Sequence, residues 1–369
     1  MKAFLKKAPS FLLLFLLLFV IMLAQLILPG RLYSENENKY LATMPQLTLR
    51  TLLGGSFADK YDTYVSDQLP ARDSWIGAKS FFEALLLKTE NNGVVYGEDG
   101  YLFAKFQSYD EDTLQYNLQA ISTFCSKANA DVTLLPVPSS YAVLADKLPA
   151  DVPFVDQQAG FAAVLSQLGG SCSAVNTLDV LSAHAQDYIY YRTDHHWTTL
   201  GAWYAYEALC GKLGLTPLPY AADAAHTSEN FLGTSYSKCK KAGVIPDTLH
   251  YFDNNSIITV GEARYGSIYD FTKLAGRDKY SMFLHGNAAE SFIECAGSGE
   301  GGHLLIIKDS YADSLIPFLT AHYETITCID PRYYPGSFSE LAAGEYTDIV
   351  LLFGFENLAG EIAIAKLGL

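Results

Sequence analysis

The stretch of sequence that decides the fold is Leu304-Leu305-Ile306-Ile307-Lys308-Asp309-Ser310. Its four apolar residues predict a buried strand, and the polar turn after them precedes a predicted helix from about Tyr311 to His322. Sites in open α/β sheets lie at the carboxyl ends of strands, so Ser310 is a candidate nucleophile. The helix N-terminus offers free N–H groups that can stabilise an oxyanion. The alternative is that the serine is an ordinary helix N-cap.

Short apolar strands alternate with helices on both sides of this stretch. Strands are predicted at 132–137, from 174, at 325–329 and at 348–353, and helices at 114–127, 161–168 and 198–213. Thr198 or Thr199 can cap the last of these helices, and Gly211 or Gly214 can end it. This alternation predicts an α/β fold with a mostly parallel sheet flanked by helices.

Two other segments depart from the alternation. Residues 94–103 predict a hairpin with an Asp-Gly turn, and residues 31–92 predict a helical lead-in to the main domain. Residues 215 to about 300 are rich in Tyr, Gly, Asn and Ser, with short β-like runs, and predict a β-rich insertion near the site. We therefore expect an anchor segment at 1–30, a lead-in at 31–92 and a catalytic domain at 93–369.

The first thirty residues predict one transmembrane helix. Lys2, Lys6 and Lys7 precede an apolar run from Phe11 to Leu28. Eighteen residues span about 27 Å as a helix, close to the hydrocarbon thickness of a bilayer. The small-residue pattern of a cleavage site is missing, which favours an uncleaved anchor over a signal peptide. The lysines before the helix predict a single-pass protein of the cell membrane, with the bulk of the chain extracytoplasmic.

Charge and cysteine content restrict the possible partners. The chain has 40 acidic and 25 basic residues, a formal net charge of −15, which argues against nucleic acid. A neutral or weakly charged substrate such as a sugar polymer fits this charge better. The six cysteines are scattered without a CxxC pair or zinc-like spacing, and free buried thiols are the simpler interpretation. The sequence has no nucleotide or coenzyme A loop.

The most unusual segment runs from Tyr190 to Trp197 and contains Asp194, His195 and His196. Three titratable groups in a row, between aromatic residues, are costly to bury without partners. A carboxylate two residues from an imidazole can accept from one ring nitrogen and leave the other as a base. One alternative is a metal site with His285 or His303 as third ligand. Another is a structural hydrogen-bond cluster in a protein that only binds glycan.

The last predicted strand ends in Gly354-Phe355-Glu356-Asn357, which places a second polar group at a strand end. An Asn after such a strand is a candidate oxyanion donor. An Asn near a turn is also common for purely structural reasons.

The run Asp194-His195-His196-Trp197 resembles the signature of the DHHW family, which is similar to the alginate O-acetyltransferases of the SGNH-hydrolase-like superfamily. Other parts of the chain resemble the same family. They are Ser34-Glu35-Asn36-Glu37-Asn38, residues 97–103, Val137-Pro138-Ser139, Asp309-Ser310-Tyr311, residues 330–334 and residues 354–357. The resemblance spans nearly all of the chain after the apolar run.

This resemblance implies roles for individual residues. Asp194 would orient His196, the general base, and Ser310 would be the nucleophile. Asn357 would donate to the oxyanion, and Arg332, Tyr333 and His195 would contribute to substrate binding. It further implies an SGNH-like fold without a metal or cofactor.

The implied activity is an extracytoplasmic O-acyltransferase, an O-acetyltransferase acting on a cell-surface or exported polysaccharide through an acyl-serine. A membrane-embedded acyl-transferring partner would supply the acetyl group. With water as acceptor the same site would be a carbohydrate esterase or deacetylase. A non-catalytic glycan-binding or assembly protein is the alternative from a different class.

Overall fold

A computed structural model describes residues 9–34, 36–37, 39–150, 152–297 and 301–369 of the chain. The predicted positive flank at Lys2, Lys6 and Lys7 lies outside these residues, as do Glu35 and Asn38. The chain divides into two compact units. One contains Met1–Lys88 and Lys240–Ala242, and the other contains Thr89–Cys239 and Gly243–Leu369.

The first unit begins with the predicted apolar helix, α1 (Pro9–Ile27), which is long and apolar enough to cross a membrane. Its side chains are almost all exposed. The remaining elements are β1 (Tyr33–Ser34), β2 (Lys39–Tyr40), α2 (Leu49–Leu53), α3 (Ser56–Asp67) and α4 (Arg72–Leu85).

The second unit contains the other strands and helices. Its strands are β3 (Glu90–Asn91), β4 (Val94–Tyr96), β5 (Leu102–Ala104), β6 (Val132–Val137), β7 (Ser173–Ala174), β8 (His226–Phe231), β9 (Asp247–Tyr251), β10 (Ile257–Val260), β11 (Ala263–Tyr265), β12 (Glu290–Glu294), β13 (His303–Lys308), β14 (Thr325–Ile329) and β15 (Asp348–Gly354). Its α-helices are α5 (Glu111–Lys127), α6 (Ser140–Val143), α7 (Gln157–Leu168), α8 (Thr177–Ser182), α9 (Thr199–Leu213), α10 (Thr234–Cys239), α11 (Ile316–Leu319), α12 (Phe338–Ala342) and α13 (Phe355–Gly360). The predicted hairpin is present as β4 and β5, with Asp99 and Gly100 at positive φ in the turn.

A central sheet of eight strands organises this unit, in the order β11-β10-β12-β14-β13-β15-β6-β7. The four pairings from β14 to β7 are parallel, as predicted, whereas the three pairings from β11 to β14 are antiparallel. Strands β13 and β15 are buried along nearly their whole length, because helices and loops cover them. Helix α5 contributes Leu118, Ile121 and Phe124 to the core that covers this sheet.

The parallel strands set the position of the functional residues. Adjacent strands β14, β13, β15 and β6 run in the same direction, so their carboxyl ends lie along one edge of the sheet. Ser310 follows β13, Asn357 follows β15, Ser139 follows β6, and Arg332 follows β14. Residues far apart in the sequence therefore converge at that edge, as the rule for open α/β sheets predicts.

The described part of the segment from 215 to about 300 contains β8 to β12, in agreement with the predicted β-rich character, and much of it joins the central sheet. Strands β10, β11 and β12 extend the central sheet through antiparallel pairings, starting from β12 against β14. Strands β8 and β9 of this segment instead pair with each other in a two-stranded sheet. The segment thus completes one side of the sheet.

The predicted single helix from Tyr311 to His322 is wrong. The chain instead forms a 3₁₀-helix, Ser310–Ser314, followed by the short helix α11. Pro317 lies in the first turn of α11, and its ring nitrogen has no hydrogen to donate to the preceding turn. The proline therefore starts a new helix where the sequence pattern predicted a continuous one.

Helix α9 follows its predicted signals closely. The Thr198 side chain accepts from the Gly201 N–H at 3.2 Å and caps the start, and Gly214 ends the helix at a φ of 70°. Gly211 lies inside the helix, where its position is open. A Cβ at Gly201, in contrast, would lie 2.3 Å from the Ile189 carbonyl oxygen.

These two glycines give a matched test of the packing of α9. Gly→Ala in a helix normally stabilises by about 1 kcal/mol, so Gly211→Ala should leave the melting temperature unchanged or raise it. Gly201→Ala should lower the free energy of unfolding by about 1–3 kcal/mol, because the new methyl group overlaps a backbone oxygen that cannot move freely. Thermal unfolding of the detergent-solubilised chain measures both. Equal effects of the two substitutions would contradict the close approach of α9 to Ile189.

Candidate active site

Ser310 lies two residues beyond the end of β13, as the first residue of the 3₁₀-helix Ser310–Ser314. Asp309, not Ser310, is the N-cap of this helix, since the Asp309 side chain accepts from the Tyr311 N–H at 3.0 Å. The alternative that Ser310 is a simple N-cap is therefore wrong. The hydroxyl of Ser310 is half-buried and free to make other contacts.

A hydrogen-bonded relay connects Ser310 to the Asp194–His196 segment. The distance from Ser310 Oγ to His196 Nε2 is 2.8 Å, and that from His196 Nδ1 to Asp194 Oδ1 is 2.6 Å. The carboxylate of Asp194 is a hydrogen-bond acceptor when ionised, so the proton of that pair lies on Nδ1. In the neutral imidazole, Nε2 is then the nitrogen without a hydrogen, and it faces the serine hydroxyl.

The imidazole of His196 is fixed by packing as well as by hydrogen bonds. Its ring stacks on the Tyr280 ring, with centroids 3.9 Å apart and planes 6° apart. Tyr280 in turn donates from its hydroxyl to the Ser310 carbonyl oxygen at 2.9 Å. Tyr280 therefore contacts both the His196 ring and the Ser310 backbone, and fixes their relative position.

Asp194 is almost completely buried and accepts hydrogen bonds at both oxygens. Its Oδ1 accepts from the backbone and ring of His196, and its Oδ2 accepts from Thr234 N at 2.6 Å and Thr234 Oγ1 at 3.0 Å. Burial alone would raise the pKa of Asp194, but His196, His195 and the Thr234 N–H outweigh it and hold the pKa well below its usual range. The group is therefore ionised at neutral pH.

A glycine next to Thr234 makes room for this carboxylate. A Cβ at Gly233 would lie 2.2 Å from Asp194 Oδ2, a distance that no side chain can tolerate. Gly233 thus leaves the space, and Thr234 supplies the hydrogen-bond donors, that the Asp194 carboxylate requires. Sequence analysis did not identify either residue.

His195 takes a different place from His196. Its Nδ1 lies 2.7 Å from Thr234 Oγ1, and its ring lies 3.8 Å, centroid to centroid, from that of His196. Desolvation is the largest cause that lowers the pKa of His195, to about 3, although 39 % of its side chain is exposed. His195 is neutral at physiological pH and forms part of the wall of the neighbouring pocket.

The predicted oxyanion donor Asn357 lies at the site, together with Asp309. Asp309 Oδ2 accepts from Asn357 Nδ2 at 2.7 Å and from the Gly354 N–H at 2.7 Å. Because the Asn amide has two hydrogens, one remains after the bond to Asp309. The Ser310 N–H, the first amide of its helix, has no acceptor within that helix. Asp309, which sequence analysis missed, positions the turn after β15 against the turn after β13.

Arg332 and Tyr333 are only partly integrated into this arrangement. Arg332 forms a bidentate ion pair with Asp330, in which Nε donates to Oδ1 at 2.9 Å and Nη2 donates to Oδ2 at 2.6 Å. The Asp330 hydrogen bond is the largest cause that raises the pKa of Arg332. The guanidinium lies over the Tyr333 ring at 5.4 Å from its centroid, and that ring is 58 % exposed. Asp330 is therefore the partner of these two residues, and the described contacts join neither of them to Asp194, His196 or Ser310.

A pocket of about 180 Å³ lies beside His195 and Tyr311, the chain neighbours of His196 and Ser310. His195, Tyr311 and Asn357 form the part of its lining that belongs to the site. The remainder comes from the ends of β5 and β15, from the turn after β6 with the start of α6, from α10 and from the start of α13. These residues are Ala104, Ser139, Ser140, Tyr141, Thr234, Ser235, Lys238, Gly354, Phe355 and Glu356.

Asp194, His195 and His196 also offer metal-ligand atoms that lie within 4.8 Å of one another. In this arrangement Asp194 Oδ1 already accepts from His196 Nδ1, and His196 Nε2 faces Ser310, so an ion would have to displace the relay. The proposed third ligands lie elsewhere. His285 contacts the Ser267 carbonyl oxygen, and His303 contacts Thr325 Oγ1.

A second buried carboxylate, also missed by sequence analysis, fixes the loop that contains Asp194. Asp247, at the start of β9, accepts from the N–H groups of Arg192 and Thr193, each at 2.8 Å. It accepts in addition from the hydroxyls of Thr193 and Tyr188. Desolvation raises the pKa of Asp247, and the four donors stabilise its charged form.

Replacement of this carboxylate tests its contribution to the loop. Asp247→Asn replaces one carboxylate oxygen by an NH₂ group, which cannot accept a hydrogen bond. Some of the buried N–H and hydroxyl groups that donate to Asp247 therefore lose their acceptor. We expect the free energy of unfolding to fall by about 2 kcal/mol or more. Asp253→Asn, at a side chain that is 90 % exposed, is the matched control and should change it by less than about 0.5 kcal/mol. Denaturant titration measures both, and a neutral Asp247→Asn would contradict this role.

Solved structures that are similar to this chain include three proteins, of which the first two align better than the third. A DHHW family protein from Eubacterium siraeum is 25 % identical, with 75 % of this chain and 95 % of that chain covered and a TM-score of 0.64. PatB1 from Bacillus cereus is 17 % identical, with 73 % and 98 % covered and a TM-score of 0.60. The O-acetyltransferase domain of Pseudomonas putida AlgJ is 18 % identical, with 75 % and 98 % covered and a TM-score of 0.47. No curated protein matches the chain.

The sequence also matches a family model. The model described as "DHHW protein" matches residues 90–329, which is well over half of the chain. The matched region contains the Asp194–Trp197 run, the Thr234 and Asp247 partners of that run, and Ser310. The chain belongs to the DHHW family.

Proposed function

We propose that this protein is an O-acyltransferase that uses Ser310 as nucleophile, His196 as general base and Asp194 as the orienting carboxylate. The single observation that carries the proposal is the continuous relay from Asp194 Oδ1 through His196 to Ser310 Oγ, with contacts of 2.6 and 2.8 Å. These are the distances at which a base can remove the proton of a nucleophile. With this relay at the carboxyl edge of its sheet, we assign the fold to the SGNH-hydrolase-like type.

In the first step, Ser310 Oγ attacks the carbonyl carbon of an acyl donor while its proton passes to His196 Nε2. The imidazolium that forms is stabilised by the ionised Asp194. The leaving group takes the proton from His196 as its bond to the acyl carbon breaks. The product of this step is an acyl ester on Ser310, and the histidine is neutral again.

In the second step, an acceptor hydroxyl attacks the acyl-serine and its proton passes to the same nitrogen of His196. The bond from the acyl carbon to Ser310 Oγ breaks, and the serine recovers its proton. A negative oxygen develops in both steps. We propose that the Ser310 N–H and the second Asn357 amide hydrogen donate to it, in positions that Asp309 fixes.

The acyl group and the acceptor follow from the resemblance to the alginate O-acetyltransferases and from the overall charge. We propose acetyl as the group transferred and a cell-surface or exported polysaccharide as the acceptor. Helix α1 would anchor the protein in the cell membrane with its larger unit outside. The donor would then reach Ser310 from a membrane-embedded acyl-transferring partner, with no cofactor held by this chain.

Hydrolysis of p-nitrophenyl acetate tests the nucleophile. The detergent-solubilised chain should release nitrophenol, and Ser310→Ala should lower kcat by about 10⁴-fold or more, because the acyl-serine cannot form. Ser126→Ala, at an exposed serine of α5, is the matched control and should leave the rate unchanged. If oligosaccharide acceptors yield acetylated sugar, the protein is a transferase. If acetate is the only product with every acceptor, the esterase alternative replaces it.

A comparison of the two histidines tests the base. His196→Gln should lower kcat by about 10⁴-fold, because Gln cannot take the Ser310 proton. His195→Gln should have an effect about two orders of magnitude smaller, because His195 contacts Thr234 and not Ser310. Steady-state kinetics with p-nitrophenyl acetate measure both. A larger loss in His195→Gln would show that the other imidazole is the base.

A further inference from the structure

The pocket that His195, Tyr311 and Asn357 help to line contains a carboxylate that the proposed chemistry does not use. Glu356 directly precedes Asn357 and lines the pocket together with His195 and Tyr311. It is half-buried, and desolvation raises its pKa, despite a hydrogen bond from Ser139 and the charge of Lys238. A carboxylate in such a place is costly unless it has a partner or a ligand.

A chain of hydrogen bonds fixes the position of Glu356. Its Oε1 accepts from Ser139 Oγ at 2.8 Å, and Ser139 Oγ accepts from Gln157 Nε2 at 2.8 Å. Because the serine hydroxyl accepts from Gln157, its own hydrogen is directed to Glu356. The Gln157 amide is itself fixed, since its Oε1 accepts from the Ser139 N–H at 2.9 Å. These contacts engage Oε1 of the carboxylate, and Oε2 has no hydrogen-bond partner among the described residues.

A purely structural role does not require this carboxylate. Gln157 already contacts both the backbone and the hydroxyl of Ser139, and it also donates to Tyr141 Oη at 2.9 Å. The turn after β6 is thus fixed without Glu356. A neutral side chain could satisfy the Ser139 hydroxyl at a lower desolvation cost.

The rest of the lining is suited to hydroxyl groups. Ser139, Ser140, Thr234 and Ser235 supply short polar side chains, and Lys238 supplies an exposed ammonium group. Together they offer several donors and one anionic acceptor within a small pocket. Sugar hydroxyls donate and accept at the same time, and a carboxylate accepts from them with charge-assisted bonds.

We propose that Glu356 binds the acceptor by accepting a hydrogen bond from a sugar hydroxyl next to the one that is acylated, and that the acceptor is a neutral polyol at this position. The inference rests on the proposed function. Glu356 precedes Asn357, the proposed oxyanion donor, and lines one pocket with Tyr311, the residue after Ser310, so a hydroxyl bound to it would direct its neighbour towards the acyl-serine. A uronic acid here would bring its own carboxylate against Glu356 and would be a poorer acceptor.

The partition of one acyl-serine between acceptors tests this directly. The detergent-solubilised chain receives p-nitrophenyl acetate together with methanol and methyl α-D-galactopyranoside at equal concentrations. The ratio of acetylated sugar to methyl acetate is measured. Both products arise from the same intermediate, so changes in the rate of its formation cancel. We expect the wild type to favour the sugar, and Glu356→Gln to lower the ratio by about 10-fold or more, the effect of one charge-assisted hydrogen bond.

Two controls complete the design. Glu207→Gln, at an exposed glutamate of α9, should leave the ratio unchanged. The wild type alone should use methyl α-D-galactopyranosiduronate less well than the neutral glycoside, a comparison that does not depend on the folding of any variant. An unchanged ratio in Glu356→Gln, no preference for the sugar, or a preference for the uronoside would each overturn the inference. Absence of nitrophenol release from the wild type would instead contradict the proposed function, and this inference with it.

Discussion

The hydrogen bond between His196 Nε2 and Ser310 Oγ, 2.8 Å long, is the interaction on which the site depends. It joins a loop before α9 to a turn after β13, segments that are 114 residues apart. Neither segment could hold its side chain in place alone. Asp194 and Tyr280 fix the imidazole, and the parallel strand β13 directs the serine to the edge of the sheet.

Buried carboxylates perform most of this positioning. Asp194 orients His196, Asp247 fixes the loop that contains Asp194, and Asp309 joins the turns after β13 and β15. Each accepts several hydrogen bonds from backbone or side-chain donors, which offsets the cost of desolvation. The positions of Ser310 and His196 are therefore set by electrostatic contacts within the protein, a preorganisation that the proposed catalysis would require. Glu356 differs, because only one of its oxygens has a hydrogen-bond partner among the described residues.

Much of this arrangement could be predicted from the sequence, because its signals are local. Apolar runs indicated β6, β13 and β15, and Thr198 and Gly214 marked the ends of α9. The rule for strand ends predicted that Ser310 and Asn357 would lie together. Pro317 was overlooked as a helix start, and the antiparallel strands β10 to β12 could not be assigned to the central sheet, since their pairings join residues far apart. Asp247, Asp309 and Thr234 were missed for the same reason: their importance arises from partners that only the fold supplies.

The central claim is that Ser310 is a nucleophile activated by His196. The most direct measurement is peptide mass mapping after treatment with phenylmethylsulfonyl fluoride, which forms a sulfonyl ester with an activated serine. The account predicts one adduct, on Ser310, that is absent when His196 is replaced by Gln. An unmodified Ser310, or an adduct on Ser310 that forms equally fast without His196, would contradict it.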